Sequence, residues 1–242
     1  MSIDISELVE IYGLPEEIVR EEIERAITMS LTSELQIDVE GFFNEDGSFK
    51  TRTFRESLAG IRAERLRGVS RRAFAAVKKS IEQSLHERST IKDHEKFSYL
   101  SNTLIYGAVF NINAAGDLYV MIEAGLNESL IGMCLLRHQP SHERGTYSRG
   151  ERISFHVLKV TAKDIDQDEP LRLNIQLSRE SRRFVELLLK EKIGGHARIE
   201  CVRRIPGVVS DVRTDRQLPR EAIMRVSYYL GERIKVRWSS NF

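Results

Sequence analysis

The sequence is poor in cysteine and tryptophan, with two cysteines and one tryptophan in 242 residues, and it has no long apolar run. Cys134 and Cys201 stand far apart, which is typical of a reducing cytoplasm rather than of a disulfide framework. Apolar runs such as residues 133–136 are far shorter than the roughly 18 residues that a membrane span needs. Residues 2–7 are polar and acidic, so no secretory signal is expected. The sequence therefore predicts a soluble, cytoplasmic protein with no membrane partner.

The chain also lacks the motifs that carry catalysis. It contains no glycine-rich phosphate loop, no nucleophile elbow and no paired acids in a motif context. Cys134, His138 and His142 stand four residues apart, as zinc ligands can, but Pro140 interrupts any helix that would align them and no fourth ligand follows at a suitable spacing. We therefore expect a protein that is not an enzyme, with no cofactor, no metal and no small-molecule substrate.

Charge is divided unevenly along the chain, although the formal net charge is only +1. Residues 1–99 contain 15 basic and 19 acidic side chains, whereas residues 179–242 contain 15 basic and 8 acidic ones. This division indicates an acidic end for a protein partner and a basic end for a polyanion. The alternative is that the charged side chains are simply solvated groups on two surfaces, with no partner to bind.

The first hundred residues have the pattern of a small α+β unit. The predicted elements are, in order, a helix that begins after Pro15, strands at 35–39 and 49–54 joined by a turn at 44–47, and a second helix at 70–87. Residues 55–68, between the hairpin and the second helix, are expected to be partly helical.

The middle of the chain has the pattern of a closed barrel. Short alternating segments are predicted to be strands at 106–111, at 118–123, after the turn at 125–130, at 152–161 and at 171–178. Five short strands with glycine-marked turns and no long helix indicate a five-stranded β-barrel of the OB type. A fragment of a β-sandwich is the alternative.

The last sixty residues return to mixed structure. The predicted order is a helix at 180–192 that ends at two glycines, strands at 197–204 and 208–213, a helix at 220–230 and a strand at 233–238. Helix, strand, strand, helix, strand is the order of KH-type nucleic-acid-binding modules.

The order of these units resembles the NusA family of bacterial transcription elongation, termination and antitermination factors. The stretches that carry the resemblance are LPEEI at 14–18, QIDV at 36–39, RGERI at 149–153, QLSR at 176–179 and LGERIKVRW at 230–238. The resemblance covers nearly the whole chain and implies an α+β multidomain protein. Its implied parts are an α+β N-terminal domain at 1–98, a five-stranded OB-type β-barrel of the S1 kind at 99–178, and a KH-like α/β module at 179–242.

The chain departs from this family in its KH-like module. KH domains clamp RNA with a GxxG loop, because glycine lets backbone N–H groups approach the phosphates. The matching positions here, 217–220, read Gln-Leu-Pro-Arg, and residues 214–218 leave no room for the helix that should precede the loop. The second KH domain of the family is expected to be missing, since the sequence stops at Phe242. The module is therefore predicted to be degenerate.

Candidate RNA-binding residues follow from the barrel and from the basic tail. In the barrel, Phe110 and Phe155 are expected in the core, whereas Tyr119 and His156 are expected on the surface to stack bases. The full set of RNA-binding candidates is Tyr119, Arg137, Arg149, His156, Lys159, Arg203, Arg204, Arg213, Arg216, Arg220 and Arg225. Because the barrel is not basic and the clamp is absent, we expect weak and salt-sensitive binding.

The resemblance also implies partners. In the NusA family the N-terminal domain contacts RNA polymerase, while the barrel and the KH module hold nascent RNA. Carried over to this chain, the polymerase-contact candidates are the acids of the first helix, Glu16, Glu17, Glu21 and Glu24. Two alternatives stay open: an RNA-binding protein associated with the ribosome or its RNA, and a decayed paralogue that acts as a protein-interaction scaffold. Other transcription factors are further possible partners.

Overall fold

A computed structural model describes residues 4–44, 48–57, 60–65, 70–125, 128–163, 171–194 and 196–239. These residues form five α-helices, two three-stranded sheets and a closed five-stranded barrel, which together make an α+β protein. The chain divides into two compact units, an N-terminal unit of Met1–Glu95 with Ala162–Arg172 and a barrel unit of Lys96–Thr161 with Leu173–Phe242. Among the described helices, none is both long and apolar enough to cross a membrane.

The N-terminal unit packs two long helices against each other beside a small sheet. Its elements are α1 (Ile5–Tyr12), α2 (Glu16–Leu35), β1 (Val39–Phe43), β2 (Phe49–Ser57), β3 (Gly60–Arg65) and α3 (Arg71–Phe97), and the antiparallel sheet has the order β1-β2-β3. Ile23 and Ile27 of α2 are buried with Val77 and Leu85 of α3. The apolar spacing of both helices therefore builds this core.

Three sequence predictions for this unit are corrected. α2 continues through Leu35, so the first strand begins at Val39 instead of residue 35. Residues 60–65 form a strand rather than a helix, because they pair with β2 in the sheet. α3 runs to Phe97, well past residue 87, since residues 88–97 contain neither glycine nor proline to end it. Of the predicted turn at 44–47, residues 45–47 lie outside the described residues.

The predicted five-stranded barrel is confirmed, and the sandwich fragment is excluded. Its strands are β4 (Leu104–Ile112), β5 (Leu118–Gly125), β6 (Glu128–Cys134), β7 (Arg152–Lys163) and β8 (Arg172–Ser178), closed in the order β4-β5-β6-β8-β7 with β7 paired to β4. Val109, Val120, Phe155 and Leu177 are fully buried inside it. A side chain at Gly132 would come within 2.7 Å of Leu177, so the barrel interior needs glycine at this point.

One of the two phenylalanines expected in the barrel core lies outside it. Phe155 is fully buried, as predicted, but Phe110 is 38% exposed. Alternate residues of β4, Ile105 and Val109 among them, point into the barrel, so the alternation places Phe110 outside. The register with β5 also shifts between Val109 and Asn111, which is the mark of a β-bulge at Phe110.

The remaining elements of the barrel unit have the predicted order. They are α4 (Arg182–Ile193), β9 (Ile199–Ile205), β10 (Val209–Thr214), α5 (Arg220–Leu230) and β11 (Arg233–Trp238). The sheet order is β11-β10-β9, with β10 parallel to β11 and antiparallel to β9. Cys201 and Val212 on one face of the sheet are buried with Phe184 of α4 and Val226 of α5. We call the opposite face of this sheet the open face.

A buried arginine joins the barrel to these C-terminal elements. The Arg179 side chain is 4% exposed and donates to both carboxylate oxygens of Glu143, at 2.6 and 2.9 Å. It also donates to the carbonyl oxygen of Ser154 of β7, at 2.7 Å, and to the hydroxyl of Tyr229 of α5, at 3.0 Å. Burial opposes both charges, but the hydrogen bonds between the partners raise the pKa of Arg179 and lower the pKa of Glu143.

His156 forms a second connection and corrects a prediction. The sequence predicts it on the barrel surface, where alternation along β7 does place it, but its side chain is only 3% exposed because α4 begins beside it. Its Nδ1 lies 2.7 Å from the hydroxyl of Ser181, which caps α4 by accepting from the N–H of Phe184. Burial and the nearby charge of Arg183 lower the pKa of His156 to about 4.

The Tyr229 hydroxyl can be tested against its neighbour in α5. It accepts from the N–H of Ser154 at 3.0 Å and from Arg179, so Tyr229→Phe leaves two buried donors without this acceptor. Such a loss costs about 1–3 kcal/mol, and we expect a lower midpoint of thermal unfolding in calorimetry. Tyr228→Phe is the matched control, since Tyr228 is 93% exposed. Equal midpoints for the two variants would contradict the role of the hydroxyl.

The buried His156 predicts a dependence of stability on pH. Its folded-state pKa of about 4 lies below the ordinary histidine pKa of 6.5, so between these values the unfolded chain binds a proton that the folded chain does not. Stability is therefore lost as pH falls through this window, by at most about 1.4 kcal/mol per pH unit. Thermal midpoints measured from pH 7 to pH 4 should fall less in His156→Gln than in the unchanged protein. His196→Gln, at an exposed histidine, should leave the fall as it is.

Candidate nucleic-acid interface

Two aromatic side chains and an arginine lie together on the outer wall of the barrel. The rings of Phe110 and Tyr119 are 6.2 Å apart between centroids and meet edge to face at 62°. Asn111, which follows Phe110, is opposite Tyr119 in the pairing of β4 with β5 and accepts a hydrogen bond of 2.8 Å from the guanidinium of Arg149. We call Phe110, Tyr119 and Arg149 the aromatic cluster. It places two ring faces and one cation on a single exposed surface.

Apolar side chains continue the outer wall beside the aromatic cluster. Met121, two residues after Tyr119 on β5, is 43% exposed, and Ile131, opposite it on β6, is 56% exposed. Exposed aromatic and aliphatic groups next to an arginine are what stacking of unpaired bases requires. The sequence predicts Tyr119 and Arg149 for this role. It assigns Phe110 to the core instead, although the alternation of β4 could have identified this residue.

The other barrel candidates lie apart from one another. Lys159 is exposed on β7, and Arg137 is exposed in the short helical turn after β6. The Nε of Arg137 is 3.4 Å from Nε2 of His138, and burial together with Arg137 lowers the pKa of His138. His156 is buried against Ser181, so we leave it out of the candidate surface.

A β-bulge separates two neighbouring arginines that the sequence predicts to act together. In the pairing of β9 with β10 the register shifts between Asp211 and Val212, which leaves Val202 without an opposite residue. Because side chains alternate along a strand, this extra residue directs Arg203 to the open face and Arg204 to the helix-covered face. Arg203 is exposed, whereas the side chain of Arg204 is 1% exposed.

Arg204 is occupied within the fold. Its Nε lies 3.1 Å from Glu232, whose side chain is fully buried, and its Nη1 donates to the carbonyl oxygens of Arg179 and Ser181, each at 2.8 Å. Removing one partner of such a buried pair leaves an uncompensated charge and is strongly destabilising. Arg204 therefore serves the junction of β9 with the start of α4, and we leave it out of the candidate RNA surface.

The remaining tail arginines fall into two groups. Arg203 and Arg213 share the open face of the sheet, on neighbouring strands. Arg216 lies before α5 with its Nε 3.3 Å from Asp215, while Arg220 and Arg225 are exposed on α5 itself. The structure therefore brings together Arg203 and Arg213, and places the other three around the first turns of α5.

The loop at 217–220, which the sequence resemblance aligns with a GxxG clamp, is part of the core. Leu218 is 5% exposed and packs with the apolar residues of α4 and α5. Pro219 is the N-cap of α5, with extended backbone angles, and it has no N–H to offer a phosphate. The predicted absence of a helix between β10 and α5 is confirmed, because residues 215–219 form only a bend and an extended segment. The loop therefore lacks the two glycines that a backbone clamp uses, and one of its four residues has no N–H to donate.

The acidic side chains of α2 differ in whether they already have a hydrogen-bond partner within the fold. Glu16 accepts from Arg20 at 2.8 Å, and Glu24 accepts from the backbone N–H of Phe43 at 2.6 Å. Glu17 and Glu21 are exposed, and their side chains have no hydrogen bond or ion pair with any other described residue. The acidic surface of α2 is therefore centred on this last pair.

The cysteine and histidines that invited a zinc site are not arranged as ligands. Cys134 is fully buried with its Sγ 3.7 Å from the carbonyl oxygen of His138, and burial raises the pKa of its thiol to about 12. His142 lies against Gly207. Within the described part of the chain, no group of three histidine, cysteine or acidic side chains could hold a metal ion.

Comparison of the sequence with protein-family models finds no match, and no curated protein matches it either. The candidate interface is therefore defined by its geometry alone. Its parts are the aromatic cluster on the barrel, Arg203 and Arg213 on the open face of the C-terminal sheet, and the exposed acids of α2; Arg216, Arg220 and Arg225 lie apart from it, around the start of α5.

Proposed function

We propose that this chain is an RNA-binding transcription elongation, termination or antitermination factor similar to NusA, with no catalytic activity. On this proposal the barrel and the C-terminal elements hold nascent RNA, and the N-terminal unit contacts RNA polymerase. The observation that carries the proposal is the aromatic cluster, an edge-to-face pair of rings on the outer wall of a closed barrel, with Phe110 exposed and Tyr119 half-buried, beside an anchored arginine. The bases of single-stranded nucleic acids, RNA among them, stack on such rings.

The barrel supports an OB-type assignment by its architecture. Five strands close in an order in which β6 is parallel to β8 while its other neighbour, β5, is antiparallel. OB barrels bind oligonucleotides on the outer face of their second and third strands. In this barrel those strands are β5 and β6, which carry Tyr119, Met121 and Ile131. The exposed apolar wall therefore coincides with the face that the OB assignment requires.

The C-terminal elements support a degenerate KH-like module. Their order and their sheet, with one face covered by α4 and α5, suit this assignment. Because the loop at Leu218 and Pro219 cannot supply a backbone clamp, phosphate contacts fall to side chains. Binding through arginine and lysine is strongly weakened by salt. Tight recognition of one sequence is therefore not part of the proposal.

Glu17 and Glu21 are the proposed contacts with polymerase. They are one helical turn apart on α2, exposed and free of partners among the described residues. Two unpaired carboxylates on a rigid helix can meet basic groups of another protein without first breaking an internal ion pair. Glu16 and Glu24, by contrast, already have partners within the N-terminal unit.

Stacking on the aromatic cluster predicts a loss of RNA affinity on truncation. Phe110→Ala and Tyr119→Ala should each weaken binding of a fluorescein-labelled oligouridylate of about 16 nucleotides, at a cost of about 1–3 kcal/mol for each base that loses its ring. Fluorescence anisotropy measures the binding. Tyr99→Ala is the control, because Tyr99 is a 62% exposed tyrosine of the same unit outside the cluster.

The RNA part of the proposal has clear contrary outcomes. If the unchanged chain does not bind the oligouridylate at low salt, RNA binding is refuted. If Tyr99→Ala weakens binding as much as Tyr119→Ala does, the cluster has no special role. Unchanged thermal midpoints in these variants would exclude misfolding as the cause of a loss.

The polymerase contact is tested separately. The immobilised chain should retain purified RNA polymerase. Reversing two charges in Glu17→Lys/Glu21→Lys should abolish retention, because the new lysines would then face basic groups of the polymerase and be repelled by them. Glu82→Lys/Glu87→Lys on α3 makes the same charge change and should retain it. Failure of the unchanged chain to retain polymerase would refute this contact. Co-sedimentation with ribosomal subunits instead would favour the ribosome-associated alternative.

A further inference from the structure

The open face of the C-terminal sheet carries a row of basic side chains that are not among the candidates predicted from the sequence. Arg233, Lys235 and Arg237 alternate along β11, and all three are exposed. Because alternate residues of a strand share a face, and Ile234 between them is buried, these three lie on the open face. Basic residues at every second position make one edge of this face positive.

The register of the sheet extends this row across all three strands. Arg237 is opposite Arg213 of β10, and Lys235 is opposite Asp211, which is in turn opposite Arg203 of β9. Neighbouring strands are about 4.8 Å apart, and alternate residues of one strand are about 6.6 Å apart. Arg203, Arg213, Lys235 and Arg237 therefore form a continuous group of four cations around Asp211, with a second carboxylate, Glu200 of β9, opposite Arg213.

These four cations have no internal partner. The side chains of Arg203, Arg213, Lys235 and Arg237 make no hydrogen bond or ion pair with any residue that the structure describes. Arg183 of the same unit, by contrast, contacts Glu186 at 2.5 Å. Unpaired, clustered cations repel one another, and a bound polyanion would relieve that repulsion.

The same side chains line a shallow cavity of about 210 Å³. Val202, the extra residue of the bulge in β9, lies at its edge, and Asp211 lies within it. The bulge is therefore what gives this face its shape, since it brings Arg203 over the cavity and sends Arg204 to the opposite side.

We infer that the open face binds the phosphate backbone of single-stranded RNA through Arg203, Arg213, Lys235 and Arg237. This inference rests on the proposed function. It assigns the RNA contacts of the C-terminal elements to the open face rather than to Arg220 and Arg225 of α5. Guanidinium groups bind phosphate oxygens with two parallel hydrogen bonds, and lysine adds a point charge. Contacts of this kind are independent of base sequence.

An acidic protein is the competing occupant, and the composition of the face favours RNA. No aromatic residue stands on the open-face positions of β9 to β11, which are residues 200, 202, 203, 205, 209, 211, 213, 233, 235 and 237. Protein interfaces are enriched in aromatic residues as well as in arginine, and they are depleted in lysine. A face of arginine and lysine without rings suits a phosphate backbone better.

The test compares two pairs of arginines in the full chain. Arg213→Gln/Arg237→Gln removes two cations from the open face, and Arg220→Gln/Arg225→Gln removes two from α5. With the same labelled oligouridylate, the first variant should bind about tenfold or more weakly. Its plot of log affinity against log KCl concentration should be shallower by about 1.4, which is about 0.7 for each phosphate that is no longer neutralised. The second variant should match the unchanged chain.

A third variant reverses the direction of the effect. Asp211→Asn removes the carboxylate from the centre of the four cations and should strengthen RNA binding. A gain of this kind cannot come from misfolding, so it separates the inference from a loss of structure. Weaker or unchanged binding by Asp211→Asn would contradict the inference.

The remaining outcomes are separable from those of the proposed function. If the unchanged chain binds RNA and Tyr119→Ala weakens it, but the open-face pair has no effect, the inference alone is overturned. Equal losses in the two arginine pairs would show a response to net charge and would also overturn it. Polyglutamate that binds as tightly as the RNA, and loses binding in the open-face pair, would assign the face to an acidic protein. If the unchanged chain binds no RNA at all, the proposed RNA function fails as well.

Discussion

The buried ion pair of Arg179 and Glu143 is the constraint on which the geometry of the barrel unit depends. Arg179 follows the last barrel strand, and its partners come from a barrel loop, from β7 and from α5. Desolvation of two charges is offset only when their hydrogen bonds are satisfied, and here both carboxylate oxygens and the Tyr229 hydroxyl are engaged. The barrel wall and the C-terminal sheet are thereby held in one arrangement, which the proposed binding of one RNA strand to both surfaces requires.

Much of this fold could be predicted from the sequence, because its signals are local. Alternation and glycine-marked turns predict the five barrel strands, and helical spacing with Gly194 and Gly231 predicts α4 and α5. The errors come from non-local pairing. Residues 60–65 join a sheet that no local pattern announces, and His156 is covered by an element that begins some 25 residues later. Burial of a strand's outer face depends on what packs there.

The candidate site is less predictable than the fold, because a bulge in β9 changes which face the side chains after it occupy. One extra residue in a strand cannot be recognised from a pattern of charges. Arg203 and Arg204 therefore look like one basic pair in the sequence, although the first is exposed and the second is buried against Glu232. The alternation of Arg233, Lys235 and Arg237 is visible in the sequence, but its meaning depends on knowing that β11 has an open side.

The packing of Leu218 has a consequence for how binding and folding are coupled in this chain. A glycine clamp uses backbone amides, so any change to it also changes the path of the chain. Here the corresponding loop belongs to the hydrophobic core, and the proposed phosphate contacts are the tips of exposed side chains. With the proposed contacts, substitution of a single exposed charged side chain raises or lowers the affinity for RNA. The backbone path and the hydrophobic core do not change.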